Sequence, residues 1–365
     1  MSSTPLRKLI ITCAFLFNVT YTDAQVLNDT ASLKLVKEAV DQIYSMKFGV
    51  ATETCNRIDL KYPGHPVVFL LRGMTVYWQG YPLLYGSDES KNFEKLMLQC
   101  IEKCDDPEPQ NEAEFLLANM CARGILLAYY VSNELHSKVF TLARTTYKYL
   151  RRSFEYTTAF PDFLFFTGLY NYYREAYSQA HPVYRPFIAL FPRGDREKGM
   201  YELRTAFKKS IFLRAEASTF LSSNYKYFEN DYINASYFSR TIYDQYPANI
   251  VYRLNCIEDL LLNKKYNDAE NLIKTDTGTN NDYFNAQLII LRGILIEKKY
   301  SEIKDAEQKY SSGAEKILEF SSYGKQYAAY AYFGLSRIST DIRDQKFYRR
   351  KALDLTDFSN VTFDE

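Results

Sequence analysis

Three tyrosines set the terms for the C-terminal half of this chain. Tyr232, Tyr266 and Tyr300 stand 34 residues apart. Each opens a similar phrase: Asp231-Tyr232-Ile233-Asn234-Ala235, Lys265-Tyr266-Asn267-Asp268-Ala269 and Lys299-Tyr300-Ser301-Glu302-Ile303. A fixed period of this length marks a supersecondary unit that cannot bury its apolar face alone and must stack on copies of itself. The residue types indicate which unit. Paired antiparallel helices need a small side chain where their axes come closest, met by Ala235 and Ala269, and a large aromatic at the turn. Pro247 follows Ala235 by twelve residues and ends the helix, because its nitrogen carries no proton and its ring clashes with the preceding turn. Met200 to Thr275 contains no glycine and a single proline, Pro247, so the stretch predicts helical hairpins with few breaks.

The same phrase recurs near the N-terminus. Phe48-Gly49-Val50-Ala51 is followed by Pro63, and Gly73 lies ten residues beyond. Arg196 to Gly199 with Ala206 reads as the second helix of another hairpin, and Tyr330–Leu335 with Lys346–Leu353 as a last pair. Laid end to end, these positions resemble the tetratricopeptide repeat (TPR) family over residues 31–80 and 194–305, and more loosely over 325–355. The resemblance implies an all-α fold, an α-α superhelix of antiparallel helical hairpins, of the kind found in exported bacterial TPR-containing proteins. Ile257 and Leu291 depart from it where a small residue is usual, as does Ile303 in the third turn phrase.

Composition agrees with a helical chain. Glycine and proline number only 14 and 11 of 365 residues, too few to punctuate the turns of a β-sandwich or barrel. Lysine and arginine total 45 against 44 acids, which argues against nucleic acid as a partner held by a global basic field. Tyrosine, at 33, is the unexplained excess.

Four regions are expected. Residues 1–24 have the layout of a secretory signal peptide: Arg7 and Lys8, the apolar run Leu9–Phe17, then Thr22-Asp23-Ala24 before the cleavage point. Residues 25–84 carry N-terminal TPR-like repeats. Residues 85–193 hold divergent hairpins with a proline-rich insertion at 178–193, read as a plug in the solenoid or a binding loop. Residues 194–365 form the C-terminal array with capping helices. No later segment reads as transmembrane, so export to the periplasm or envelope of a Gram-negative bacterium is expected. The five cysteines outside the leader have no framework spacing and read as buried thiols.

Catalytic and cofactor motifs are missing: there is no phosphate-binding glycine loop, H-E-x-x-H or G-x-S-x-G. The expectation is a non-enzymatic scaffold without cofactor or metal. Carrying the TPR register over implies a concave groove for a protein or peptide partner, lined by Met74, Tyr77, Trp78, Asn224, Tyr227, Phe228, Glu258 and Arg292. Arg144, Lys148 and Arg152 recur every four residues, with Arg151 beside them, as a docking face or a solvated one. Two rivals stand beside the scaffold reading. The first is a glycan or small-ligand receptor, which would show an aromatic pocket rather than an open groove. The second is a toroidal helical enzyme, which would show two inward carboxylates.

Overall fold

The computed structural model describes residues 26, 29–105, 112–180, 191–275 and 280–364. Sixteen α-helices and no strand occur among them. In chain order they are α1 Thr30–Tyr44, α2 Phe48–Lys61, α3 Pro66–Gln79, α4 Asp88–Lys103, α5 Glu112–Ser132, α6 His136–Tyr156, α7 Phe163–Ala180 and α8 Arg196–Lys209. Then follow α9 Arg214–Asn224, α10 Tyr232–Gln245, α11 Ile250–Leu262, α12 Tyr266–Lys274, α13 Asp282–Leu295, α14 Ile303–Leu318, α15 Lys325–Ile338 and α16 Ile342–Leu353. Single π-helical turns extend α9 (Tyr225–Glu229) and α13 (Ile296–Tyr300).

The helix limits follow from local chemistry. Asp29, Ser87, Asp195, Asp231, Asn249, Asn281 and Asp341 each precede a helix and accept a first-turn amide on the side chain, satisfying a donor that has no partner within the helix. Asp195 thereby turns Arg193-Gly194-Asp195 into the start of α8. Pro63 and Pro247 stand one residue past the C-caps Tyr62 and Tyr246. Tyr232 and Tyr266 open α10 and α12, but Tyr300 does not open its helix. The π turn delays α14 to Ile303, Tyr300 is 46% exposed, and its hydroxyl donates to Glu270 at 2.6 Å. Ala306, fully buried, takes the small-residue place that Ile303 could not.

Each helix packs on its neighbour in sequence, so the described chain is a continuous run of hairpins. The tightest is α7–α8. A Cβ on Gly199 would sit 2.4 Å from the Tyr172 amide nitrogen and 2.8 Å from the Gly168 carbonyl, so the backbones touch where Gly168 and Gly199 cross.

The run does not stay linear, because the C-terminal ends of early helices rest on the N-terminal ends of late ones. Tyr44, ending α1, packs on Tyr252 of α11 at 6.2 Å, and its carbonyl accepts from Asn249 Nδ2 at 3.1 Å. Past the end of α3, the Tyr81 carbonyl accepts from Asn281 Nδ2 at 2.8 Å, while its ring stacks on Phe284 of α13 at 6.0 Å. At the end of α5 the Ser132 carbonyl accepts from Ser322, just before α15. The pairs α1–α11, α3–α13 and α5–α15 share one offset, five hairpins. Asn249 and Asn281 do double duty here: Oδ1 caps their own helix, and Nδ2 satisfies a carbonyl left over at the end of another turn of the array.

Two of the expected regions are not covered. Residues 1–24 and most of the 178–193 insertion lie outside the described residues. The insertion's described flank is held on the hairpin surface, with the Pro192 carbonyl accepting from Tyr170 at 2.7 Å and the Phe191 ring against Tyr147 at 4.9 Å. Helix α5 is long and apolar enough by composition to cross a membrane, which the sequence reading overlooked. In the fold it is apolar all round because it is walled by protein on most sides, with 61% of that window buried.

Candidate functional site

Inside the turned array lies a cavity of about 800 Å3. All the odd-numbered helices from α1 to α15 contribute to its wall, and among the described residues no even-numbered helix does. The alternation is a direct result of hairpin geometry: one helix of each pair faces in and its partner covers it. Helix α1 supplies Val36, Val40 and Tyr44, and α3 supplies Leu70, Met74, Tyr77 and Trp78. Phe165 and Phe166 come from α7, Phe220 from α9, and Phe284 from α13. Helix α5 presents Gly124 and Ala128, and a Cβ on Gly124 would meet nothing within 4 Å, so open space stands directly over this helix. The volume falls in the usual range for a small-molecule site, and so does the lining, a large apolar surface with few polar groups.

Among the described residues three carboxylates lie on the wall, Glu114, Glu216 and Glu258, and no lysine, arginine or histidine is there with them. Two of the three are committed. Glu114 Oε1 lies 2.9 Å from His65 Nε2 and accepts from the Val26 amide at 3.2 Å. Glu258 accepts from Lys226 Nζ at 2.8 Å, Tyr330 at 2.8 Å and Tyr327 at 3.0 Å. Lys226 also lies 3.0 Å from Asp259, whose other oxygen accepts from Ser222. Burial alone would pull the Lys226 ammonium down, but the Asp259 and Glu258 carboxylates hold it well above its ordinary range. Burial raises Asp259, and Lys226 offsets part of that rise.

Glu216 is different. It sits in the first turn of α9, where backbone amides favour an anion, and receives one hydrogen bond from another side chain, that of Tyr44. Its second oxygen is buried without a partner. Tyr246 and Tyr252 stand close by, and no cation faces it among the described residues. Burial pushes its carboxyl up to about 8, and a backbone hydrogen bond offsets only part of this. The acid is therefore walled by tyrosine: Tyr44 lies 5.5 Å from Tyr246 and 5.6 Å from Trp78, which lies 5.6 Å from Tyr252.

Of the groove residues expected from sequence, Met74, Tyr77, Trp78, Tyr227 and Glu258 line this cavity. Asn224, Phe228 and Arg292 are not part of its wall. Asn224 accepts from Tyr173 at 2.6 Å, and Phe228 packs on Tyr173 and on Phe358 of the C-terminal tail, each at 5.6 Å. The π turn after Asn224 inserts a residue and rotates everything beyond it, so a register carried through as plain α-helix misplaces Phe228. The basic face is only partly free. Arg144, Lys148 and Arg151 are exposed, but Arg152 pairs with Glu112, and both border a separate cleft of about 300 Å3 that also contains Asp105. Glu216 went unnoticed in the sequence, where an acid in a first helical turn reads as ordinary charge placement. Among the described residues the five cysteines are free thiols, four buried and Cys121 on the cavity wall.

No family model, curated protein or solved structure matches the chain.

Proposed function

We propose that this protein is a receptor or carrier that encloses an apolar small molecule in its central cavity. The observation that carries the reading is the cavity of about 800 Å3, walled by aromatic and aliphatic side chains from every inward-facing helix. A scaffold that grips peptides needs its concave face free. Here Tyr77, Trp78 and Tyr227 of that face line a partly open apolar cavity, and Trp78 is packed against the opposite turn. Glycoside hydrolysis of the two-carboxylate type needs a second uncommitted carboxylate on the wall. Glu258 spends its acceptors on Lys226, Tyr327 and Tyr330, and Glu114 faces His65, which leaves Glu216 alone. The N-terminal leader pattern and the resemblance to exported TPR proteins support a place for this receptor in a bacterial envelope.

Gly124→Trp and Ala128→Trp test the reading without touching the packed core, since both positions border open cavity. Wild type titrated with the neutral fluorescent probe N-phenylnaphthylamine should show saturable, one-to-one enhancement, and either tryptophan should reduce it at least tenfold with thermal unfolding unchanged. A wild type that gives no enhancement would sink the proposal.

A further inference from the structure

Building on the receptor reading, we infer that the ligand is a lipophilic cation: an apolar body carrying one amine or quaternary ammonium group, seated against Glu216. Three observations converge on it. First, among the described residues the wall carries three acids and no base, although the chain as a whole has one more base than acid. Charge complementarity therefore favours a positive guest. Second, two of those acids already face protein partners, and only Glu216 keeps a buried oxygen with none. An unpaired carboxylate in such a place is costly to ionise, and a cation arriving beside it removes that cost. Third, Tyr44 donates to the acid and Tyr246 and Tyr252 stand close to it, while Trp78 packs on both Tyr44 and Tyr252 at 5.6 Å. Aromatic faces around a carboxylate form the environment in which a weakly hydrated cation gains from both charge and ring quadrupole.

The groups facing Glu216 are few. Tyr44 comes from α1, Tyr246 from the turn before α11, and Tyr252 from α11 itself, while Tyr246 donates to Asp41 at 2.7 Å. None supplies positive charge. A neutral guest would leave Glu216 as the acid it is near pH 7, because burial holds its carboxyl up at about 8. A cationic guest would draw the proton off.

The test compares three molecules with one alkyl chain and different heads: decyltrimethylammonium, decanol and decanoate. Calorimetry with the full-length protein should give the ammonium at least tenfold tighter binding than decanol, with decanoate weakest. In Glu216→Gln, ammonium and decanol should bind alike. A second measurement needs no variant: titrations at pH 7 in phosphate and in Tris should reveal release of close to one proton with the ammonium and none with decanol. Equal affinity for ammonium and decanol in wild type, or a preference that survives Glu216→Gln, would overturn the cationic head while leaving the receptor reading intact. If no chain binds, both fail together.

Discussion

Two acids on the same cavity wall were given opposite treatment. At the end of α9 and on α11, Glu258 belongs to a cluster with Lys226, Asp259, Tyr327 and Tyr330, every member of which has partners. At the seam of α1, α9 and α11, Glu216 has Tyr44 and its own backbone amide, and its second oxygen has no partner. The first arrangement holds its own cation between the two acids and reads as structure. The second is incomplete, and a fold tolerates an incomplete buried charge chiefly where something else finishes it. Proximity to the cavity therefore does not separate structural from functional residues here. The presence of a cation beside the acid does.

Removing one member of the completed cluster should have the largest effect. Lys226→Met strands Glu258 and Asp259 side by side, and breaking a buried pair of this kind costs about 3–5 kcal/mol. Urea denaturation should register it as a large fall in midpoint, and a loss under 1 kcal/mol would mean the cluster is not closed. Glu216→Gln should act in the opposite direction. A carboxyl raised on folding costs nothing below its ordinary range and costs progressively more as pH climbs to about 8, above which the cost is constant. The glutamine variant should therefore match wild type near pH 4 and exceed it by up to a few kcal/mol at pH 8, measured as a melting-temperature difference that widens with pH. A difference flat in pH would show that Glu216 is not held as an acid.

Smaller changes probe the surroundings of the two acids. Asn249→Asp keeps the helix cap but loses the amide that donates to the Tyr44 carbonyl beside Glu216, and should cost about 1–2 kcal/mol. Equal stability of the two proteins would remove that bond from the account of the seam. Gly124→Ala should be the mildest and stabilising, by about 0.5–1 kcal/mol, because the helix gains propensity and the new methyl meets nothing. Destabilisation there would mean that the space over α5 is filled.

The hairpins were legible in the sequence because their signals are local. Pro63 and Pro247, the buried alanines at 51, 235 and 269, and the Gly168 crossing all act within one helix pair. The cavity was only half legible. Alternation told which helices face inward, and Met74, Tyr77, Trp78, Tyr227 and Glu258 follow from it. What closes the space is contact between Tyr44 and Asn249, 205 residues apart, and no periodicity announces a partner at that distance. The same contacts account for much of the tyrosine. Tyr44, Tyr81, Tyr246, Tyr252, Tyr283 and Tyr323 meet across the seam, where an amphipathic ring can both fill the joint and place a hydroxyl on a waiting acceptor.

Those joints between turns also change what kind of object the array is. A linear solenoid can nucleate anywhere and lengthen or fray one unit at a time, because each unit knows only its neighbours. Here the first helix leans on the eleventh, so the opening hairpin emerges from the ribosome long before the residues it rests on. The joints between turns thus add a few contacts that must wait for the later chain to an array whose helices otherwise pack on their sequence neighbours.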